Sequence, residues 1–158
     1  MKHVATVEWR RPAGAEFTDQ RYPRAHRWRF DGGAEVPASS SPHVVPPPLS
    51  DAAAVDPEEA FVAALASCHM LWFLSIAAQR GHVVESYRDA ASATVGRDDS
   101  GQLALLDVYL RPIVEFAAGS DPGAAGLAAL HHAAHARCLI ANSIRATVHI
   151  AGAEAGQG

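Results

Sequence analysis

Apolar residues along this 158-residue chain fall into two kinds of pattern, short alternating runs and one long run with no polar side. The long run lies between Asp56 and Gly81. Positions 60 to 78 hold no Asp, Glu, Lys or Arg, and Ala, Leu, Phe, Trp, Ile and Met come round on every side of a 3.6-residue period. Both ends carry helix signals. Asp56 suits an N-cap, Pro57 suits the first helical position, and Glu59 completes a capping box. Arg80 complements the negative end, and Gly81 can adopt the left-handed backbone that closes a helix. The pattern predicts one helix over 56–81, enclosed on all sides. Nineteen uncharged residues also meet the length of a membrane span. Six of them are Ala, however, His69, Ser67 and Ser75 interrupt the run, and no basic cluster flanks it. A buried central helix, with no membrane partner, is the expectation.

The alternating runs predict strands around this helix. Val4 to Trp9 reads as a first strand. Ala25 to Phe30, the turn Asp31-Gly32-Gly33, and Ala34 to Val36 read as a hairpin. Residues 37–55, with Ser39 to Ser41 and Pro46 to Pro48, lack periodicity and form a long loop, either a lid or disordered. Beyond the helix, Val83 to Val95 and Leu103 to Phe116 read as two strands joined by an Asp98-Asp99-Ser100-Gly101 turn. In the second, Leu106, Val108, Leu110, Val114 and Phe116 share one face and Asp107, Tyr109, Arg111 and Glu115 the other. Asp121-Pro122 opens a second helix reaching about Arg137, with Leu127, Leu130 and Ala134 on its apolar side and Cys138 at its end. Ile144 to Ile150 alternates as a last strand. The order argues an α+β fold with antiparallel sheet, one domain over 1–150 and a flexible tail over 151–158.

Composition narrows the class without naming an activity. Nearly half the residues are apolar and 19% are charged, enough to build a core. A formal charge of −4 with no basic run gives no reason to expect nucleic acid. Met1 to Pro12 has no signal-peptide core, so the cytoplasm is the expected compartment, where two cysteines are more often reduced or catalytic than a structural bridge. A small sheet and one other helix cover about two sides of the central helix. A second copy covering the rest, and hence a homodimer, is the simplest solution.

Cys68 lies mid-helix and becomes a nucleophile only if a cation stabilises its thiolate. Glu58 and Glu59 are too far along the helix to reach it, but Glu58 could hold a cation over that end. Several arginines lie between positions 10 and 29. If residues 24–30 are a strand, Arg24, His26, Trp28 and Phe30 share one face and Ala25, Arg27 and Arg29 the other. The first face carries both aromatics and is the inward one, which leaves Arg24 in need of an anion and Arg27 and Arg29 as a solvated stripe. His131 and His135 are spaced to share a metal with Cys138. Three histidines in an Ala-rich helix are more simply partly exposed polar positions, and neither a metal nor another cofactor is expected.

Asp-Pro-Glu-Glu at 56–59, Ala-Ser-Cys-His-Met at 66–70 and Ala-His-Ala-Arg-Cys-Leu-Ile-Ala-Asn-Ser at 134–143 resemble the OsmC/Ohr family of peroxide-detoxifying proteins, and more closely its OsmC-like branch. The likeness runs from about residue 22 to 150. It implies an intertwined homodimer with sheets wrapped around two long central helices. It also implies a thiol-dependent peroxidase that reduces small-molecule or lipid hydroperoxides to alcohols and is restored by a thiol or dithiol, lipoyl groups included. By the same likeness Cys68 is the peroxidatic thiol, Cys138 the resolving one, Glu58 the glutamate of the site and Arg24 its arginine. Phe61, Leu65, His69, Met70 and Trp72 would line the substrate pocket, with His69 packed or hydrogen-bonded rather than acting as a base. Leu139 stands where many relatives carry proline. Two other readings use the same residues: a non-catalytic member of the fold that binds a hydrophobic ligand at the dimer interface, and a cysteine hydrolase pairing Cys68 with a histidine.

Overall fold

The computed structural model describes residues 1–153; the part of the expected tail over 154–158 lies outside the described residues. Contacts gather the chain into two compact units, Met1–Phe61 and Val62–Gly158.

In the first unit, β1 (Ala5–Glu8), β2 (His26–Phe30) and β3 (Glu35–Ala38) form an antiparallel sheet in that order. The hairpin turns where the Asp-Gly-Gly pattern places it, with Gly33 at φ 86° and its amide donating to the Phe30 carbonyl. Val7, Trp28 and Val36 line up across the sheet. On the opposite face Arg29 pairs with Glu8 at 3.2 Å and Glu35 at 2.9 Å, and Arg27 with Glu35 at 2.6 Å. The expected basic stripe is therefore an exposed, charge-balanced ladder. Residues 39–55 are a tied loop: the Ser39 amide donates to the Val55 carbonyl and the Val55 amide to the Pro37 carbonyl, each at 3.1 Å, bridging Ala38 to Val55, and the Asp51 amide donates to Ser39 Oγ at 3.0 Å.

Helix α1 (Pro57–Gln79) begins on the predicted capping box. The Glu59 amide donates to Asp56 Oδ1 at 2.7 Å and the Asp56 amide to Glu59 Oε2 at 3.3 Å, satisfying two donors that a helix start leaves free. At the other end Gly81 has φ 81°, the His82 amide reaches the Ala77 carbonyl and the Gly81 amide the Ala78 carbonyl, a Schellman closure.

The second unit holds β4 (Val84–Asp89), β5 (Ser92–Arg97), β6 (Leu103–Leu110), β7 (Pro112–Phe116), α2 (Gly123–Arg137) and β8 (Thr147–Ile150), with a short 3-10 turn at Ala141–Ser143. The sequence reading of two long strands is corrected to four. Pro112 has no amide hydrogen for a ladder bond, and the amide of Arg111 before it turns onto Asp89 Oδ1 at 2.7 Å. The break falls opposite Ala90 and Ala91, so β4 pairs with β7 and β5 with β6, in two separate sheets. The antiparallel expectation is also corrected at the edge, where β8 joins β6 in parallel after the chain crosses over through α2.

Phe73, Ile76 and Ala77 of α1 meet Leu130 and Ala134 of α2, with Val84, Tyr87, Val114 and Phe116 of the β4–β7 sheet packed against them. Burying a side chain the size of Phe73 contributes roughly 2–3 kcal/mol. Only one stripe of α1, through Leu65, His69, Phe73, Ile76 and Ala77, is buried. Leu71 on another side is 61% exposed. The expected enclosure of the whole helix is thus not reached within one chain, because two helices and a two-stranded sheet supply too little apolar surface. The helix is long and apolar enough to cross a membrane, yet its buried stripe is spent on this core.

Candidate functional site

The chemistry-bearing residues of the second unit meet between α1 and the C-terminal half of α2. On α1, Leu65, Cys68, His69 and Trp72 recur at helical spacing and share a face. On α2, Leu127, His131, Ala134 and Cys138 do the same. Leu65 and His69 are wholly buried, while Cys68, Met70 and Trp72 are half-buried.

Cys138 caps the C-terminal end of α2 and is fully buried. Both cysteines are free thiols. Burial pushes the Cys138 thiol up to about 11, and the neighbouring Cys68 thiol, through hydrogen bonding and charge, adds to the rise. The amides of Ala141 and Ile140 oppose it, Ala141 donating to Cys138 Sγ at 3.4 Å. At neutral pH Cys138 is therefore a protonated thiol held beside Cys68.

Next to the thiols His69 is packed and hydrogen-bonded, as its sequence position suggested, and its partner is His131. His69 Nε2 and His131 Nδ1 are 3.1 Å apart, with the rings near-parallel at 13° and both side chains buried. Phe73 closes on His131 at 4.6 Å between centroids. Burial, reinforced by His131 and His135 for the one and by His132 for the other, lowers both His69 and His131 to about 4, so both rings are neutral near pH 7. His131 was expected to be partly exposed. Its spacing from Leu127 and Ala134 places it on the buried stripe, and that signal was present in the sequence. His132 is exposed and His135 intermediate, and among the described residues no group of His, Cys, Asp or Glu is arranged to hold a metal ion. Arg137, the residue before Cys138, places its guanidinium 5.8 Å from the Trp72 ring centroid.

The remaining sequence-assigned residues lie in the first unit. Phe61 and Glu58 are half-buried in the first turns of α1. Arg24 precedes β2 and lies over the Tyr22 ring at 3.7 Å, with its guanidinium donating to the carbonyls of Tyr22 and, at 2.7 Å, Gln20. Among the described residues Arg24 forms no ion pair with Glu58; backbone carbonyls and a ring face take the place of the expected anion.

The OsmC family description, OsmC-like protein, matches residues 50–151, and an OsmC-like protein of unknown function from Vibrio cholerae is 52% identical over 95% of this chain and 97% of its own, with a TM-score of 0.93. The chain belongs to the OsmC-like family. This OsmC-like chain shares its fold with more distant members. An organic hydroperoxide resistance protein from Legionella pneumophila is 18% identical over 95% of this chain and 93% of its own, with a TM-score of 0.66. Another from Vibrio cholerae, with captopril bound in one of its active sites, is 19% identical over 95% and 88%, with a TM-score of 0.64. No protein of curated function matches the chain.

Proposed function

We propose that this OsmC-like protein is a cysteine-based peroxidase that reduces organic hydroperoxides. The observation that carries the reading is the neighbouring pair of free thiols, one half-buried on α1 and one fully buried at the end of α2, in a family that includes organic hydroperoxide resistance proteins. The Cys68 thiolate attacks the distal oxygen of the hydroperoxide. The O–O bond breaks, the alkoxide takes up a proton and leaves as the alcohol, and Cys68 becomes a sulfenic acid. The Cys138 thiol then attacks the Cys68 sulfur, releasing water and forming the disulfide. A dithiol reductant returns both to thiols.

Cys138, kept protonated and buried, is suited to wait as the resolving thiol, while Cys68 is the more accessible sulfur. Phe61, Leu65, Met70 and Trp72 supply apolar surface that favours alkyl over hydrogen peroxide. The family likeness gives the work of stabilising thiolate and developing oxyanion to Arg24, with Glu58 as its support.

The stripe of α1 left open in one chain, Leu71 included, supports a homodimer in which a second copy covers it. The test of the activity is consumption of cumene hydroperoxide with a dithiol such as dihydrolipoamide, for the wild type and Cys68→Ser. Turnover abolished by the substitution is the expected result. No turnover in the wild type, with saturable binding of the alkyl chain alone, would leave the chain as a hydrophobic-ligand carrier on the same fold.

A further inference from the structure

The buried histidine pair has no role in the peroxidase chemistry above, yet it occupies core volume that two leucines would fill without leaving a polar atom unpaired. His69 Nδ1 is buried with no hydrogen-bond partner. We propose that His69 and His131 are positioning residues that fix how α2 crosses α1 and thereby hold Cys138 within bonding reach of Cys68.

The argument is one of leverage. His69 follows Cys68 directly, whereas His131 and Cys138 are seven residues apart on α2 and its cap. At about 1.5 Å per residue that is a lever of about 10 Å. A swing of α2 by about 10° about the histidine contact moves the Cys138 end by about 2 Å. Bridgeable cysteines have Cα atoms separated by about 4.4–6.8 Å, so such a swing consumes most of the tolerated range. Apolar contacts among Phe73, Leu130 and Ala134 are non-directional and so define the crossing angle less sharply than a hydrogen bond does. A 3.1 Å hydrogen bond between stacked rings resists such a swing, since it weakens steeply with distance and angle. The structure thus places a directional contact at the pivot of the two elements that carry the thiols.

The inference rests on the proposed Cys68–Cys138 disulfide but not on peroxide as its oxidant, so its test leaves peroxide out. The full-length protein is equilibrated in glutathione redox buffers at pH 7, where oxidised glutathione takes the electrons of both thiols and is released as two reduced glutathiones. The disulfide fraction is read by mass spectrometry after acid quench. His131→Leu should lower the equilibrium constant for the disulfide at least tenfold, about 30 mV in potential. The double variant His69→Gln/His131→Asn, whose amides overlay Nε2 and Nδ1, should restore it to within about threefold of wild type. If His131→Leu does not fold, His131→Asn against His131→Gln decides, because only the former keeps a polar atom at the Nδ1 position. An equilibrium constant within twofold of wild type in His131→Leu, or equal values for Asn and Gln, would overturn the proposal. A wild type that forms the disulfide in glutathione but does not consume peroxide would sink the peroxidase reading and leave the positioning role standing. A wild type that never forms it would sink both.

Discussion

Asp56 and Glu59 each accept the other's amide hydrogen, at 2.7 and 3.3 Å, and so start the helix that carries Cys68. Asp56 is only 8% exposed, so water cannot replace its carboxylate. Asp56→Ala should cost about 1–2 kcal/mol and lower the melting temperature by a few degrees. Glu59→Ala, which removes the longer bond from an exposed residue, should cost less. Thermal unfolding of the two variants at one protein concentration measures the order, and an equal or reversed cost would show that the box is not what holds this end.

The buried histidines predict an acid-side loss of stability. Their folded values, about 4, lie below the ordinary 6.5, so the unfolded chain binds more protons between those limits. Stability from this source is complete above about pH 6.5, falls as the pH drops through that window and levels off near 4. Each ring contributes at most roughly 3 kcal/mol. Asp89, raised by its own burial, acts in the opposite sense as the pH rises. Urea unfolding at pH 7 and 4.5 should show the loss, and His131→Leu should flatten it. An unchanged slope in that variant would mean that other groups set the acid limit.

Thiol alkylation separates the two cysteines and the three arginines. Iodoacetamide at pH 8 should modify Cys68 well before Cys138, which is buried and raised to about 11. If the family likeness assigns Arg24 correctly, Arg24→Ala should slow Cys68 alkylation and shift its pH profile upward. Arg27→Ala and Arg29→Ala, which only lose exposed pairs with Glu35 and Glu8, should do neither. A response confined to Arg27 or Arg29 would remove Arg24 from the site.

The proposed dimer places Leu71 in an interface. Sedimentation at micromolar concentration should report twice the 16.7 kDa of the chain. Leu71→Lys, which would bury an unpaired charge there, should dissociate or unfold it. A folded wild-type monomer under those conditions would require another cover for this stripe.

Local sequence settled what local physics controls. The helix ends at Asp56 and Gly81 and the turns at Gly33 and Gly101 follow from short-range donors and backbone strain, and the structure has them where the residues place them. The split of the long strands was harder to see, because apolar alternation runs on through Pro112 and only its missing amide hydrogen marks the break. Pairing between distant segments was not legible. That β8 lies parallel to β6, that Arg24 gives its guanidinium to the carbonyls of Gln20 and Tyr22, and that His131 finds His69 are choices made by packing. The family motif brought Cys68 and Cys138 together on paper. Their adjacency, and the imidazole contact beside them, came from the way α2 closes on α1, since a hydrogen-bond partner 62 positions away leaves no period in the chain.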